Sequence, residues 1–426
     1  MKITRLSVAG LRAFDQAQLE FDPTLTLLVG VNGVGKTTIL EALRVGLSRI
    51  LPQFTASRSR PDTFARDDVR IGDPALTVDL NFVVNGSTHQ WLLHKQRDQH
   101  VPGEEGVVRK QTVGTPDREI LKPDFGKHAE RLKSARVQPI AVYFATRRSM
   151  ISDEQVKFGR SRGGQATAFA DALASRPLRL AYLAEWMLAQ ERLSAELRRA
   201  DDHLNAFRAA AQRFLPDCED LRAEKADEHH RLLVTKRGVP LDVRQLSDGE
   251  RSMLALVLDL AQRLSQANPG LRDPVQEGAA VVLIDELDMH MHPLWQRQVL
   301  PLLTSTFPNC QFIATTHSPQ IIGEAQPERL ILLQAEEGRI VPRRCGQAYG
   351  LDANAVLELI MGTASRAEPV RRAIAAVEAA LDEGELGKAR INLAELRRLI
   401  HGDDPTVAGL EAAINNLEAL GDATNQ

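Results

Sequence analysis

One short loop, residues 30–37 (GVNGVGKT), constrains the fold more than any other part of the chain. It matches the pattern GxxxxGK[ST] and lies between an apolar segment, residues 25–30, and a helical pattern over residues 36–51. Glycines in such a loop let backbone N–H groups surround phosphate, and the N-terminus of the following helix adds a favourable dipole. A strand, a glycine-rich loop and a helix in this order predict an α/β protein that binds a nucleotide.

The side chains of this loop have separate predicted roles. Lys36 would reach the β- and γ-phosphates of ATP, and we also expect it to be a catalytic residue. The hydroxyl of Thr37 would bind Mg²⁺. The other predicted nucleotide contacts in this segment are Gly30, Asn32, Gly33, Gly35 and Thr38.

A second apolar segment, residues 281–284, ends in the carboxylates Asp285 and Glu286. Four apolar residues predict a strand that is buried on both faces, and α/β proteins bind ligands at the C-terminal ends of such strands. Asp285 suits Mg²⁺ coordination through water, and Glu286 suits the activation of an attacking water as a general base. The alternative is that the two carboxylates cap a helix, and the nearby phosphate loop disfavours it.

The segment LSDGER, residues 246–251, resembles the signature motif of ABC-type ATPases. This resemblance implies that Ser247 and Gly249 contact the γ-phosphate of ATP held by a second copy, in a head-to-tail dimer. His317, within TTHSP, matches the catalytic switch histidine of that family. Asp288 lies where the family keeps an aspartate that couples the two sites.

Family members also contain a glutamine loop, for which this sequence has no clear counterpart. The region from Ala145 to Arg148 is where we expect its equivalent. The N-terminal sequence ITRLSVAGLRAF is similar to that of SMC- and RecF-like ATPases. In those relatives an arginine at the position of Arg12 approaches the nucleotide.

Longer segments narrow the resemblance. IDELDMHMHPLWQRQVLPLL, TTHSPQII and GLDANAVLELIMG resemble the PtuA-like ATPases of Septu and retron antiphage systems. This resemblance implies a separate HNH-type nuclease partner. Residues 347–426 predict paired amphipathic helices, without the acidic cluster of a Toprim domain, and the chain has no HNH pattern. We therefore do not expect this chain to cut DNA itself.

The expected fold is an α/β, ABC-type P-loop ATPase head with a mixed sheet, an antiparallel β subdomain and a helical arm, followed by an all-α module. A continuous helical pattern over residues 176–214 predicts an arm of about 55 Å, too short for an SMC rod. The predicted domains are an ATPase lobe with the phosphate loop (1–150), the arm with strands leading to the signature (151–245), a second ATPase lobe (246–346) and a helical partner-docking module (347–426).

Charge and hydropathy patterns bear on partners and location. The net charge is −3, but residues 131–180 carry 10 Lys and Arg against 3 Asp and Glu, and residues 347–426 carry 7 against 13. These segments are either solvated surface or a DNA- or partner-facing patch beside an acidic docking module. The longest aliphatic run, residues 279–284, is far shorter than the roughly 20 residues that span a bilayer. We expect a cytoplasmic protein without a membrane association.

Two other functions remain open at this stage. The chain could be a RecF- or SMC-like repair ATPase that binds DNA directly through Arg147, Arg148, Arg160 and Arg162. It could also be a scaffold that ATP stabilises with little turnover, which the missing glutamine loop favours. The main hypothesis is an ATPase that dimerises around ATP and Mg²⁺, assembles further, and regulates a nuclease in antiphage defence.

Overall fold

The computed structural model of the protein describes residues 1–97, 99–102, 108–111, 117–149, 164–175, 177, 179–226 and 229–424. The chain divides into two compact units, Met1–Val356 and Leu357–Gln426. The predicted helical module starts at residue 347, whereas the second unit starts at Leu357. In the part of the chain just defined, no helix has both the length and the apolar character needed to cross a membrane.

The strands follow the apolar patterns of the sequence. They are β1 (Lys2–Leu11), β2 (Phe14–Glu20), β3 (Leu25–Val29), β4 (Ala75–Val84), β5 (Ser87–Gln96), β6 (Gln99–Pro102), β7 (Val108–Gln111), β8 (Arg118–Lys122), β9 (Ile140–Phe144), β10 (Cys218–Ala226), β11 (His229–Lys236), β12 (Val239–Asp242), β13 (Ala280–Ile284), β14 (Gln311–Thr315), β15 (Leu330–Glu336) and β16 (Arg339–Arg344).

The helices lie mainly after residue 164. They are α1 (Lys36–Ile50), α2 (Ala129–Lys133), α3 (Ala166–Phe169), α4 (Leu180–Ser194), α5 (Arg198–Phe214), α6 (Asp248–Ala267), α7 (Pro274–Glu277), α8 (Pro293–Thr306), α9 (Pro319–Gly323), α10 (Ala353–Ala355), α11 (Glu368–Asp382), α12 (Leu386–Leu399) and α13 (Pro405–Thr424). Short 3-10 and π-helical turns join several of them.

A mixed sheet with the order β16-β15-β3-β14-β13-β9 forms the centre of the first unit. Strands β15, β3, β14, β13 and β9 are parallel, and β16 pairs with β15 in the antiparallel direction. Every residue of β3, β9, β13 and β14 is buried, as expected for parallel strands covered on both faces. Because these strands are parallel, the segments that follow them leave from one edge of the sheet.

The predicted antiparallel β subdomain is a second sheet, with the order β2-β1-β4-β5-β8. Its β4–β5 hairpin turns at Asn85 and Gly86, whose φ angles of 50° and 81° explain why this dipeptide suits a tight turn. Helix α1 packs against both sheets, and Gly46 allows the approach: a Cβ there would lie 3.0 Å from Leu80 and 3.2 Å from Trp91. One apolar core therefore holds the phosphate-loop helix.

The prediction of one long arm helix over residues 176–214 is wrong. The helical segments α4 and α5 are separated at Leu197, whose φ of −125° and ψ of 103° are extended. The two helices pack on each other, with the rings of Trp186 and Phe207 5.0 Å apart. Leu204 and Ala211 of α5 are buried within the unit, whereas Leu193 and Leu197, near the break, are exposed.

The second unit contains α11, α12 and α13. Its core comprises Val377, Ala380, Ala389, Leu393, Leu396, Val407 and Ile414. Within each helix these residues are three, four or seven positions apart, which is the spacing that places them on one face. The amphipathic helices predicted for this region are therefore confirmed.

Candidate functional site

The phosphate loop leaves the sheet after β3 and ends at the first turn of α1. Gly33 and Gly35 adopt φ angles of 86° and 87°, which disfavour any residue with a Cβ. At Gly35 a Cβ would also lie 2.5 Å from the ring of Phe14. Sequence and backbone therefore agree on why this loop is glycine-rich.

Lys36 is folded back into this loop. Its Nζ donates hydrogen bonds to the carbonyl oxygens of Gly30 (2.8 Å) and Val31 (2.9 Å). Burial lowers the pKa of Lys36 to about 8, although Asp285 and Glu286 favour its charged form. The ammonium group thus occupies the concave side of the loop, where it is largely removed from solvent.

Asp285 lies at the end of β13, opposite the loop. Both of its carboxylate oxygens lie 3.2 Å from the Thr37 hydroxyl, and Oδ1 accepts a 2.7 Å hydrogen bond from Thr315. A hydroxyl and a carboxylate are hard oxygen donors of the kind that Mg²⁺ prefers. The two residues predicted to bind the metal are therefore brought together, and their chemistry fits Mg²⁺.

Glu286 follows in a left-handed backbone conformation, with φ of 49°. Its backbone N–H donates a 2.7 Å hydrogen bond to the Thr315 hydroxyl. Thr315 ends β14 and is completely buried. One hydroxyl therefore orients both carboxylate residues, and nothing in the local sequence pattern singled it out.

A second residue without an assigned role at this site, Arg148, lies where we expected the glutamine-loop equivalent. Its side chain is 3% exposed and donates to the backbone carbonyls of Asp285 (2.6 Å) and Glu286 (2.6 Å). Burial lowers its pKa to about 10. The inclusion of Arg148 in an exposed DNA-binding patch is therefore wrong, because its donors face the protein interior. The Arg147 side chain, Arg160 and Arg162 lie outside the described residues.

His317 and Asp288 are held together by the segment after β14. Asp288 Oδ1 accepts hydrogen bonds from the Thr316 hydroxyl (2.6 Å) and the His317 backbone N–H (3.2 Å). Burial, and then the charge of Lys36, lower the pKa of His317, which favours the neutral imidazole. Within one copy of the chain, Asp288 therefore fixes the segment that carries His317.

The signature segment opens α6. Ser247 caps this helix, its hydroxyl lies 2.8 Å from Glu250 Oε2, and Lys236 pairs with the same carboxylate. A Cβ on Gly249 would lie 2.4 Å from the carbonyl oxygen of His290. Both predicted signature contacts, Ser247 and Gly249, thus also have packing roles within the chain.

The remaining predicted residues have different environments. Arg12 lies in the turn between β1 and β2 and forms a 2.8 Å ion pair with Asp68. The turn is close to the phosphate loop, because Phe14 packs against Gly35. In the loop itself Asn32 is exposed, whereas Thr38 is buried in α1.

Comparisons with known proteins give two matching family models and several similar proteins. Residues 5–212 match the family model described as "AAA domain", and residues 153–323 match a second model, described as "AAA domain, putative AbiEii toxin, Type IV TA system". Over 95% of both chains, the protein is 24% identical to "Septu protein PtuA" of Bacillus thuringiensis. It is 26% identical to "Retron Ec83 probable ATPase" of Escherichia coli, over 78% of this chain and 72% of that protein.

The chain is similar to Septu PtuA and to the retron ATPases over most of its length. The predicted fold class is confirmed: an ABC-type ATPase head with mixed and antiparallel sheets precedes a helical C-terminal region. A solved SMC head bound to the C-winged helix domain of ScpA aligns with 81% of this chain and 98% of its own, at 14% identity and a TM-score of 0.47.

Proposed function

We propose that the protein binds and hydrolyses ATP at the edge formed by the ends of β3, β13 and β14. The observation that supports this most is the facing pair of Thr37 and Asp285, 3.2 Å apart, beside the lysine of a phosphate loop. Hydrogen bonds within the chain hold Lys36, Thr37 and Asp285 beside the loop where we propose that phosphate binds. Water attack on the γ-phosphate is the reaction that this donor set suits.

Each side chain has one role in this mechanism. Lys36 exchanges the carbonyls of Gly30 and Val31 for phosphate oxygens, and so neutralises their charge. Thr37 and Asp285 would hold Mg²⁺, which supplies further charge neutralisation on the phosphates. Glu286 accepts a proton from the attacking water as general base. His317, whose backbone N–H donates to Asp288, would donate a hydrogen bond to the γ-phosphate.

We further propose that two copies complete each site in a head-to-tail dimer, which assembles into a higher oligomer. Ser247 and Gly249 start the 20-residue helix α6, and the N-terminus of such a helix attracts phosphate. They would contact the γ-phosphate bound to the other copy, with Asp288 linking the two sites. In this assembly Arg12 would leave Asp68 and approach the nucleotide.

The biological role that we propose is control of a separate HNH-type nuclease in antiphage defence, in the cytoplasm. Its support is the similarity to "Septu protein PtuA" along 95% of both chains. The second unit, with its acidic excess, is the proposed docking module for the partner. Nuclease activity would belong to the partner and not to this chain.

Two substitutions test the ATPase proposal. Glu286→Gln keeps the size of the side chain but removes the base, so ATP should remain bound without phosphate release. Lys36→Ala should abolish ATP binding, because the loop loses its only side-chain cation. Radiolabelled nucleotide retained after gel filtration separates these two outcomes. Normal turnover by Glu286→Gln would contradict the assignment of the base.

Purification of the tagged protein from its native host tests the partner. A small HNH protein in near-stoichiometric amount is the expected result. Recovery with bound DNA instead would favour the repair-type ATPase, whose DNA affinity should fall steeply with salt. A change in oligomer size with ATP, without phosphate release, would favour the scaffold.

A further inference from the structure

Arg148 uses its whole guanidinium group inside the protein. The Nη1 atom donates to the backbone carbonyls of Asp285 (2.6 Å) and Ala145 (3.4 Å). The Nη2 atom donates to those of Glu286 (2.6 Å) and Leu287 (3.3 Å). The Nε atom donates to the Ser252 hydroxyl, at 3.1 Å. An arginine has five N–H donors, so each has an acceptor.

The position of Arg148 follows from the sheet. Strand β9 pairs with β13 in parallel, with Phe144 opposite Ile284, so the segments that leave the two strands are neighbours. Arg148 lies in the turn after β9, and Asp285 begins the turn after β13. The guanidinium therefore reaches the carbonyls of residues 285–287, in the turn after β13, from the end of the adjacent strand β9.

The turn needs such a donor for a physical reason. Glu286 has a φ of 49°, a conformation that is unfavourable for a residue with a Cβ. Successive carbonyls of this turn, at residues 285, 286 and 287, all accept from Arg148. Without the guanidinium the carbonyls of Asp285 and Leu287 would lose this donor, which is costly in a low-dielectric interior. The carbonyl of Glu286 would keep only the Met289 N–H, at 3.0 Å.

We propose that Arg148 is the positioning residue that fixes the turn carrying Glu286 and connects it to the signature helix. The connection runs through Ser252, which is fully buried in the first turns of α6. This inference rests on the proposed ATPase function. Movement of the α6 N-terminus, where Ser247 would meet the second nucleotide, is then transmitted to the general base.

The first test is Arg148→Lys, which keeps the charge but offers three donors from one atom. We expect kcat to fall about tenfold or more, because charged hydrogen bonds to the turn are lost. ATP affinity should stay within about twofold, since the Lys36 loop is untouched. Arg213→Lys, on an exposed position of α5, is the matched control and should retain wild-type turnover.

Two results would overturn the inference. One is a wild-type kcat in Arg148→Lys. The other is an equal loss of ATP affinity and turnover, which a general folding role would produce. If the wild-type protein binds ATP without releasing phosphate, both the proposed function and the role of Arg148 are refuted. If wild type and Arg148→Lys are equally active, only the role of Arg148 is refuted.

A double-mutant cycle tests the connection to α6. Ser252→Ala should lower kcat several-fold, by about the value of one hydrogen bond. In the Arg148→Lys background the same substitution should cause no further loss, because Ser252 acts through the guanidinium. Additive losses would show that the two residues act independently and would overturn the connection.

Discussion

Replacing Thr315 with valine tests how the two carboxylates are oriented. The Thr315 hydroxyl donates to Asp285 Oδ1 and accepts from the Glu286 N–H, both at 2.7 Å. Valine has nearly the same shape, so Thr315→Val removes the two hydrogen bonds without opening a cavity. The backbone N–H of Glu286 then lacks a partner beside a completely buried side chain.

The expected cost follows from these two contacts. A hydrogen bond to a charged group contributes about 1.5–3 kcal/mol, and an unsatisfied buried donor costs about 1–3 kcal/mol. Together they set an upper limit of about 6 kcal/mol, shared between the free energy of unfolding and the activation free energy of turnover. Thr315→Ser keeps the hydroxyl and loses one methyl group, which contributes about 1 kcal/mol.

Urea denaturation and steady-state ATP turnover measure the two shares. We expect the summed change in unfolding free energy and activation free energy to be larger for Thr315→Val than for Thr315→Ser. Both variants should retain ATP affinity. If the two variants agree within about 1 kcal/mol in both measurements, the hydroxyl does not orient the carboxylates and the reasoning fails.

Two further predictions concern the loop and the signature helix. Gly35→Ala should destabilise the protein more than Gly33→Ala. Both glycines have positive φ, but only at Gly35 would a Cβ meet the Phe14 ring. Thermal unfolding compares the two variants, and equal losses of stability would exclude the clash. Burial opposes ionisation of Glu250, but hydrogen bonds from Lys236 and Ser247 outweigh it and lower the pKa of Glu250. The stabilisation of the folded protein by ionised Glu250 is therefore fully present above the unfolded-chain pKa of about 4.3. It is lost as the pH falls through the lower pKa of the folded state. The difference in unfolding free energy between wild type and Glu250→Gln should shrink over that acidic range, and a constant difference would contradict this.

Local patterns predicted the parts of this protein that depend on neighbouring residues in the chain. The strand–loop–helix unit around Lys36 is confirmed, because turn chemistry and apolar runs are local properties. The meeting of Thr37 and Asp285 was also predictable, since parallel strands bring their C-terminal ends to one edge.

Contacts between distant segments were not predictable in the same way. The break at Leu197 interrupts a continuous apolar repeat, and packing of α4 on α5 decides it. Arg148 looked like one more cation in a basic segment, because its burial depends on carbonyls 137 to 139 residues away. Thr315 belongs to an apolar strand and gave no signal of its own.

The contacts at the sheet edge form a continuous series from the phosphate loop to the signature helix: Thr37, Asp285, Thr315, Glu286, Arg148 and Ser252. Each step is a hydrogen bond, so a change at one end alters the geometry of the next. Under the proposed dimer, ATP in the loop and a second copy at α6 are therefore linked ligands. Linkage is reciprocal: whatever factor ATP contributes to dimer affinity, dimerisation contributes to ATP affinity. Arg148→Lys should reduce these two coupling factors equally, while the ATP affinity of the undimerised chain stays within about twofold of wild type.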